Sequence, residues 1–220
     1  MKFETARQLF EHTLANADQA RPDIHAAMLA MARRETIETA NEMVSTALAL
    51  DERVWMTSDL HFGHTNIISY CDRPFRDTRT MDLALSAQLG KVGDNELLLI
   101  LGDVSLGDHE QSMRWVRGIP GRKILVAGNH DFMADGYCRL QQEKDLQGKP
   151  LFEAVVPFLY WDGPHGIGVL ACHYPLQVPE HHKSLILNYH GHLHREVLRP
   201  TDTVKYMNVG WDVDYALKCL

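Results

Sequence analysis

Apolar residues recur at helical spacing through the first 50 residues, which are also rich in strong helix formers. The pattern predicts a helix over Phe3–Ala17, a break at Arg21-Pro22-Asp23 and a second helix over Ile24–Leu50. The apolar stripe of the second helix consists of Ile37, Ala40, Val44 and Leu48. We interpret residues 1–50 as a helical extension packed on the main domain, because apolar stripes usually face a core. The alternative is an arm that forms a homodimer or binds a partner.

From residue 51 onward, short apolar runs alternate with stretches of helical spacing, and residues 51–220 are predicted to form one domain. The predicted strands are Val54–Thr57, Leu97–Leu101, Lys123–Ala127, Glu153–Leu159, Gly168–Cys172, Leu185–Tyr189 and Val204–Val209. The predicted helices are Thr80–Val92, His109–Arg117 and Phe132–Gln147. An early β-α-β alternation followed by strand-rich sequence indicates an α/β fold, a layered sandwich with helices outside.

Composition narrows the classes of function. The net charge of −7 over 220 residues argues against a protein whose main task is to grip long nucleic acid, which needs a basic face. It leaves open a nucleotide, a nucleic-acid end or a small phosphoester, because bound cations reverse the local field. The chain lacks an apolar run of about 18 residues, so no membrane span is expected. The start lacks a signal-peptide core and the four cysteines lack metal or disulfide spacing, which predicts a cytoplasmic protein.

Several predicted strands end in a carboxylate, an amide or an imidazole, and the 13 histidines are the conspicuous excess in composition. Polar residues at strand ends are Asp59, His61, Asp103, Asn129, His130, Asp131, His173, His192 and His194. The carboxyl ends of strands in open α/β sheets are where sites are assembled. Asp, His and Asn without a thiolate suit hard or borderline divalent metals, and there are more donors than the four of a structural zinc site. Two cations that share a bridging carboxylate account best for this donor set.

These motifs, in this order, resemble the signature of calcineurin-like metallophosphoesterases over residues 54–210. The motifs are Asp59-x-His61, Gly102-Asp103, Gly128-Asn129-His130-Asp131, His173 and Gly191-His192-x-His194. The resemblance implies a four-layer α/β/β/α sandwich that carries a dinuclear metal centre.

The resemblance also implies a role for each polar residue. Asp59, His61 and His194 would bind the first metal, Asn129, His173 and His192 the second, and Asp103 would bridge both. His130 would stand near the leaving group as a non-ligand histidine, with its ring held by Asp131. Manganese is the expected metal, and iron, zinc or nickel could take its place.

The implied activity is hydrolysis of a phosphomonoester or phosphodiester, with a small phosphoester or nucleotide as substrate. Two cations about 3.5–4 Å apart would present a bridging hydroxide to phosphorus, and His130 would stabilise or protonate the leaving oxygen. The alternatives are a nuclease or nucleic-acid-end processing enzyme, and a catalytically silent interaction protein on the same fold.

The segment 62–75 after the first strand resembles a bacterial and phage branch of this superfamily. His64, Asn66 and Arg73 are therefore candidate contacts to substrate phosphate. For His64 the alternative is a hydrogen bond to a metal ligand, and for Arg73 it is a salt bridge or a loop-stabilising contact. The segment Trp211–Asp214 is interpreted as a turn near the site that positions substrate.

Overall fold

The computed structural model describes residues 1–17 and 22–220. Its helices are α1 (Phe3–Asn16), α2 (Pro22–Met31), α3 (Arg34–Ala49), α4 (Ile67–Tyr70), α5 (Thr78–Leu89) and α6 (His109–Val116). Its strands are β1 (Val54–Thr57), β2 (Leu97–Ile100), β3 (Arg122–Val126), β4 (Ala154–Val156), β5 (Phe158–Asp162), β6 (Gly168–Cys172), β7 (Ile186–His190), β8 (Val204–Asn208) and β9 (Lys218–Cys219). In the described part of the chain, no helix combines the length and the apolar character that crossing a bilayer requires.

The strands form two mixed sheets flanked by helices, and the predicted layered α/β sandwich is confirmed. One sheet has the order β4-β3-β2-β1-β9, in which β9 is antiparallel to β1 and the other pairs are parallel. The other has the order β5-β6-β7-β8, in which β5 is antiparallel and β6, β7 and β8 run parallel. All four residues of β2 are fully buried, as expected of a strand covered on both faces.

The carboxyl ends of the parallel strands of both sheets meet at one edge of the sandwich. A parallel bridge joins Ser58, just after β1, to Gly210, just after β8. The N–H of Gly191, after β7, donates to the carbonyl of His173, after β6, at 2.9 Å. These links bring together loops that are far apart in sequence, and the candidate site lies there.

The N-terminal helices share the core of the sandwich. The rings of Phe10 in α1 and Phe158 in β5 have centroids 4.9 Å apart. In α3, Ile37, Ala40 and Val44 are fully buried. This is expected if the apolar stripe of the helix faces the core. The side chain of Asn41 accepts the N–H of Tyr160 at 2.8 Å and so satisfies part of the edge of β5.

The predicted second helix is in fact two helices. Pro22 begins α2, a position that suits proline because the first turn leaves its N–H groups unpaired. The chain leaves the helix after Met31, and Arg33 has extended dihedral angles before α3 begins. Arg21, in the predicted break, lies outside the described residues.

The predicted helix over Phe132–Gln147 is wrong, since this segment forms turns. Asp135 accepts the N–H of Tyr137, and Asp145 accepts those of Gln147 and Lys149. Such local bonds from aspartate side chains compete with helical hydrogen bonds. Gly136, with φ of +79°, turns the chain between them.

The apolar run Glu153–Leu159 contains two strands of different sheets. Pro157 separates β4 from β5 and supplies no N–H to continue a ladder. The sequence also gave no signal for the short strand β9, which has two residues and pairs only through its backbone with β1.

Candidate metal centre

The structure brings the seven predicted ligands together at the joined edge of the two sheets. Ligand atoms of Asp59, His61 and His194 all lie within 4.8 Å of one another, as do those of Asp59, Asp103 and His173. Asp59 therefore belongs to both groups. The two groups are the arrangement that a pair of cations would need.

Asn129 and His192 complete the second group. The side-chain oxygen of Asn129 lies 2.9 Å from Nε2 of His173 and 3.1 Å from Nδ1 of His192. The N–H of His192 also donates to both carboxylate oxygens of Asp59, at 3.1 and 3.0 Å. Asn129, His173 and His192 come from three different loops and thus face a common point.

Asp103 lies between the two groups. Its Oδ2 is 3.7 Å from Nε2 of His61 and 3.5 Å from Nε2 of His173. Its Oδ1 accepts the backbone N–H of His130 at 2.9 Å, which fixes the direction of the carboxylate. This placement agrees with the bridging position that the sequence predicts for Asp103.

Five of the seven predicted ligands have a left-handed backbone. The φ values are +56° for Asp59, +55° for His61, +55° for Asp103, +68° for His192 and +51° for His194. A non-glycine residue in this region costs about 1 kcal/mol or more, and such strain collects at functional sites. The loops are therefore folded to direct side chains inward at a cost in backbone energy.

Two glycines allow the loops to pack against the ligands. A Cβ atom on Gly102, whose φ is +94°, would lie 2.6 Å from Nδ1 of His173. A Cβ atom on Gly191 would lie 1.9 Å from Oγ of Ser58 and 2.4 Å from Oδ2 of Asp59. Only a residue without a side chain fits at either position.

Burial shifts the pKa values of four predicted ligands toward the uncharged form of each side chain. Burial raises the pKa of Asp59 to about 6 and that of Asp103 to about 7, since a carboxylate is poorly solvated there. Burial lowers the pKa of His192 to about 3 and that of His61 well below its usual value. The imidazoles of His61 and His192 are therefore neutral, as metal ligands must be.

His61 provides a direct test of whether the site fits a metal. Its side chain is buried, yet neither ring nitrogen has a hydrogen-bond partner among residues 1–17 and 22–220. Buried polar atoms in native proteins nearly always have a partner. A cation coordinated by His61 would satisfy one of these two nitrogens, and the nearby carboxylates of Asp59 and Asp103 would neutralise the charge of the cation.

Two of the histidines are oriented by hydrogen bonds from their other ring nitrogen. Nδ1 of His173 lies 2.7 Å from the carbonyl oxygen of Leu101, which can only accept, so Nδ1 carries the proton. Nδ1 of His194 lies 2.8 Å from Oδ2 of Asp212. Through Nδ1 each ring is held so that its Nε2 faces the cluster, the orientation usual for metal-binding histidines.

Although burial opposes it, the hydrogen bond that His194 donates to Asp212 raises the pKa of His194 to about 10, with Cys71 and Asp59 also contributing. In the sequence, Asp212 was indicated only weakly, as part of a turn that positions substrate. The structure instead buries its carboxylate behind His194. Cys71, whose Sγ lies within 4.8 Å of the same two side chains, was not singled out either.

His130 lies beside the cluster with its side chain half-buried. Its ring centroid is 5.5 Å from that of His61. Burial lowers the pKa of its imidazole, and the nearby His173 lowers it further. A neutral imidazole next to the predicted ligands can still offer one N–H to a bound group.

Asp131 makes contacts other than the predicted one. Its carboxylate accepts the N–H groups of Asp103, Val104 and Gly128 at 2.9, 3.0 and 2.8 Å. It therefore holds the backbone of two ligand-bearing loops, and the prediction that it orients the ring of His130 is corrected. The signal available in the sequence, adjacency to His130, could not distinguish these roles.

Of the three predicted substrate contacts, Arg73 has the alternative role of a salt bridge that stabilises a loop. Its guanidinium is 3% exposed, pairs with Asp212 and donates to the carbonyls of Asp59 and Leu60. Since its donors are committed to buried partners, a contact to substrate phosphate is wrong for Arg73. It stabilises the loop after β1 instead.

His64 and Asn66 each have an accessible side chain that a substrate could contact. The ring of His64 is half-buried, with its centroid 5.5 Å from that of His61. Asn66 is exposed at the start of α4 and makes no side-chain cap to that helix. Both stay predicted substrate contacts.

Comparison with known proteins agrees with the site. A family model described as calcineurin-like phosphoesterase matches residues 52–215. The Gene 66 protein of Mycobacterium phage D29 is 32% identical over 183 residues, which cover 72% of this chain and 87% of that protein. The Gene 66 protein of Mycobacterium phage L5 is 37% identical over 81 residues, 35% of this chain and 39% of that protein. These phage relatives fit the bacterial and phage branch indicated by the segment after the first strand.

A solved structure of similar fold is that of a protein of unknown function, AQ665, from Aquifex aeolicus. It matches with a TM-score of 0.51 at 23% identity, covering 76% of this chain and 95% of that one. At this identity the likeness concerns the fold alone. Because the family model covers well over half of the chain and all the predicted ligands, the chain belongs to the calcineurin-like phosphoesterase family.

Proposed function

We propose that this protein is a hydrolase of phosphate esters that depends on two divalent metal ions. The observation that carries the proposal is the convergence of two donor groups that share Asp59, one with His61 and His194 and one with Asp103 and His173. A structural metal site closes around a single ion, whereas paired sites serve displacement at phosphorus. Membership of a phosphoesterase family supports the same conclusion.

The residues of the cluster divide between the two ions. Asp59, His61 and His194 would hold the first ion, Asn129, His173 and His192 would hold the second, and Asp103 would face both. When bound, the ions would supply positive charge to the phosphate oxygens and lower the pKa of the attacking water. Manganese is our choice for the assay, because oxygen and imidazole donors accept it along with iron, zinc and nickel.

His130 acts on the leaving group. Its ring lies beside that of His61 and is half-buried, so a phosphate held at the cluster would bring the leaving oxygen toward it. The N–H of the imidazole donates to that oxygen as negative charge develops on it. His64 and Asn66, on the loop that follows His61, contact the phosphate or the group attached to it.

The experiment that tests the proposal measures hydrolysis by the manganese-loaded protein. Bis-p-nitrophenyl phosphate and p-nitrophenyl phosphate are the first substrates, followed by cyclic nucleotides and linear diesters. We expect turnover that is lost on chelation and in Asp103→Ala, because Asp103 lies between histidines of both groups and would face both ions.

Asp94→Ala is the matched control, since Asp94 is an exposed aspartate outside the cluster. It should retain the activity of the unaltered protein. Absence of turnover with manganese, iron, zinc and nickel alike would contradict the proposal and favour a silent interaction protein. Activity confined to nucleic-acid ends would identify the substrate class within the same chemistry.

A further inference from the structure

Arg73 and Asp212 form a buried ion pair behind the cluster. Nε of Arg73 donates to Oδ1 of Asp212 at 2.7 Å, and Nη2 donates to Oδ2 at 2.9 Å. The two residues are 3% and 2% exposed. Two parallel hydrogen bonds between a guanidinium and a carboxylate fix both planes. The pair is therefore a rigid element in the protein interior.

Each end of this pair reaches a different part of the same predicted metal group. Arg73 donates to the backbone carbonyls of Asp59 at 2.6 Å and Leu60 at 2.9 Å. These carbonyls belong to the loop in which Asp59 and His61 have left-handed backbone conformations. On the other side, Oδ2 of Asp212 lies 2.8 Å from Nδ1 of His194.

The second predicted group is held by other contacts. His173 is oriented by the carbonyl of Leu101. Asn129 directly follows Gly128, whose backbone N–H donates to the carboxylate of Asp131. The ring of His192 contacts the side-chain oxygen of Asn129, and its backbone N–H donates to the carboxylate of Asp59. None of these contacts involves the guanidinium of Arg73 or the carboxylate of Asp212.

We propose that the Arg73–Asp212 pair is a positioning unit that organises one of the two metal sites, the one formed by Asp59, His61 and His194. The inference rests on the proposed function for the presence of two sites. The pair holds the strained loop through Arg73 and the ring of His194 through Asp212. Neither residue touches the metal or the substrate. Removal of the pair therefore weakens one site and leaves the other with its own supports.

Asp212→Asn is the direct test, because it keeps the shape of the side chain. An amide has one oxygen to accept with, whereas Asp212 accepts from Arg73 through both oxygens and from His194 as well. Asp214→Asn is the matched control, two residues away and exposed to solvent.

The measurement is calorimetric titration of the metal-free full-length chain with Mn²⁺, together with the metal content after dialysis. We expect two Mn²⁺ ions per chain for the unaltered protein and for Asp214→Asn. For Asp212→Asn we expect one ion at the original affinity and a second bound about 10–100-fold more weakly, the usual effect of losing a partner behind a metal ligand.

A double variant separates positioning from stability. Arg73→Met with Asp212→Leu replaces the buried pair by apolar side chains, which often preserves stability. We expect its thermal midpoint to recover relative to Asp212→Asn while the weakened site stays weak. Recovery of both would overturn the inference, since the pair would then serve only the fold.

Three further outcomes are decisive. Unchanged affinity at both sites in Asp212→Asn, or equal weakening of both, would overturn the positioning role while the proposed function stands. Binding of fewer than two ions by the unaltered protein would overturn the proposed function itself, and the inference with it.

Discussion

The carboxylate of Asp131 accepts the backbone N–H of Asp103 at 2.9 Å, while the carboxylate of Asp103 accepts the N–H of His130 at 2.9 Å. The loops after β2 and β3 are thus joined by two hydrogen bonds, in which an aspartate of each loop accepts a backbone N–H of the other loop. Asp103 keeps its other oxygen for the cluster. The geometry of the predicted bridging ligand therefore depends on a residue that is not itself a ligand.

Asp131→Asn should destabilise the protein and weaken metal binding. The amide nitrogen would face at least one N–H whose hydrogen bond the carboxylate now accepts, which leaves a buried donor unpaired at a cost of about 1–3 kcal/mol. Urea unfolding gives the loss of stability. Asp135→Asn, at an exposed aspartate that accepts the N–H of Tyr137, should change stability far less. Full stability with a selective loss of leaving-group chemistry would restore the idea that Asp131 serves His130.

His130→Ala should slow the release of poor leaving groups by about 10²–10⁴-fold, the range typical of one acid–base group. Hydrolysis of p-nitrophenyl esters should fall less, because p-nitrophenolate leaves without a proton. The comparison is made between kcat values for an alkyl and a p-nitrophenyl ester. Because His130 is not a predicted ligand, Mn²⁺ binding should be unchanged. An equal loss on both esters would argue against contact with the leaving oxygen.

Gly191→Ala should disrupt the site although it adds a single methyl group. That carbon would lie 1.9 Å from Oγ of Ser58 and 2.4 Å from Oδ2 of Asp59, so the loops must separate. We expect a loss of about 1–3 kcal/mol or more in unfolding free energy and weaker metal binding. Gly118→Ala is the control, since its added carbon would meet its nearest atom at an ordinary 3.4 Å. Equal behaviour of the two variants would contradict the packing described.

Removal of metal should lower the thermal midpoint, because ions that bind only the folded protein stabilise it by mass action. At about 1,000 times the dissociation constant one ion contributes about 4 kcal/mol. Differential scanning calorimetry with chelator and with Mn²⁺ measures the shift. His61→Ala should reduce the shift, since both of its ring nitrogens lack partners in the described structure. A midpoint that is indifferent to chelator would be evidence against a metal site.

Asp82 should make stability depend on pH. Burial raises its pKa to about 6, against the N–H of Gly63 and the charge of Arg73, which lower it. The folded state then binds more protons than the unfolded state between pH 4 and 6, so its contribution to stability falls as pH rises through that window.

Asp82→Asn should therefore stabilise the protein at pH 7–8 by about 1–2 kcal/mol and have little effect near pH 4. Its amide oxygen can still accept from Gly63. Urea unfolding at several pH values, with exposed Asp94→Asn as the control, gives the difference. A constant difference between variant and parent over this range would contradict the shifted pKa.

The sequence by itself determined the strand ends and therefore the predicted ligands. Short apolar runs that stop at Asp59, Asp103 and Asn129 specify parallel strands whose polar ends share an edge, since burial decides where such runs pack. The apolar stripe of Ile37, Ala40 and Val44 likewise specified a helix face in the core. These signals are local and periodic.

Tertiary structure alone decided what each polar residue contacts. Arg73 and Asp212 are 139 positions apart, and their pairing depends on how the loop after β1 meets the loop after β8. The role of Asp131 depends on backbone N–H groups, which every residue has and no pattern of side chains reveals. Periodicity reports which face of an element is buried, whereas the partner of a buried charge is set by the packing of distant loops.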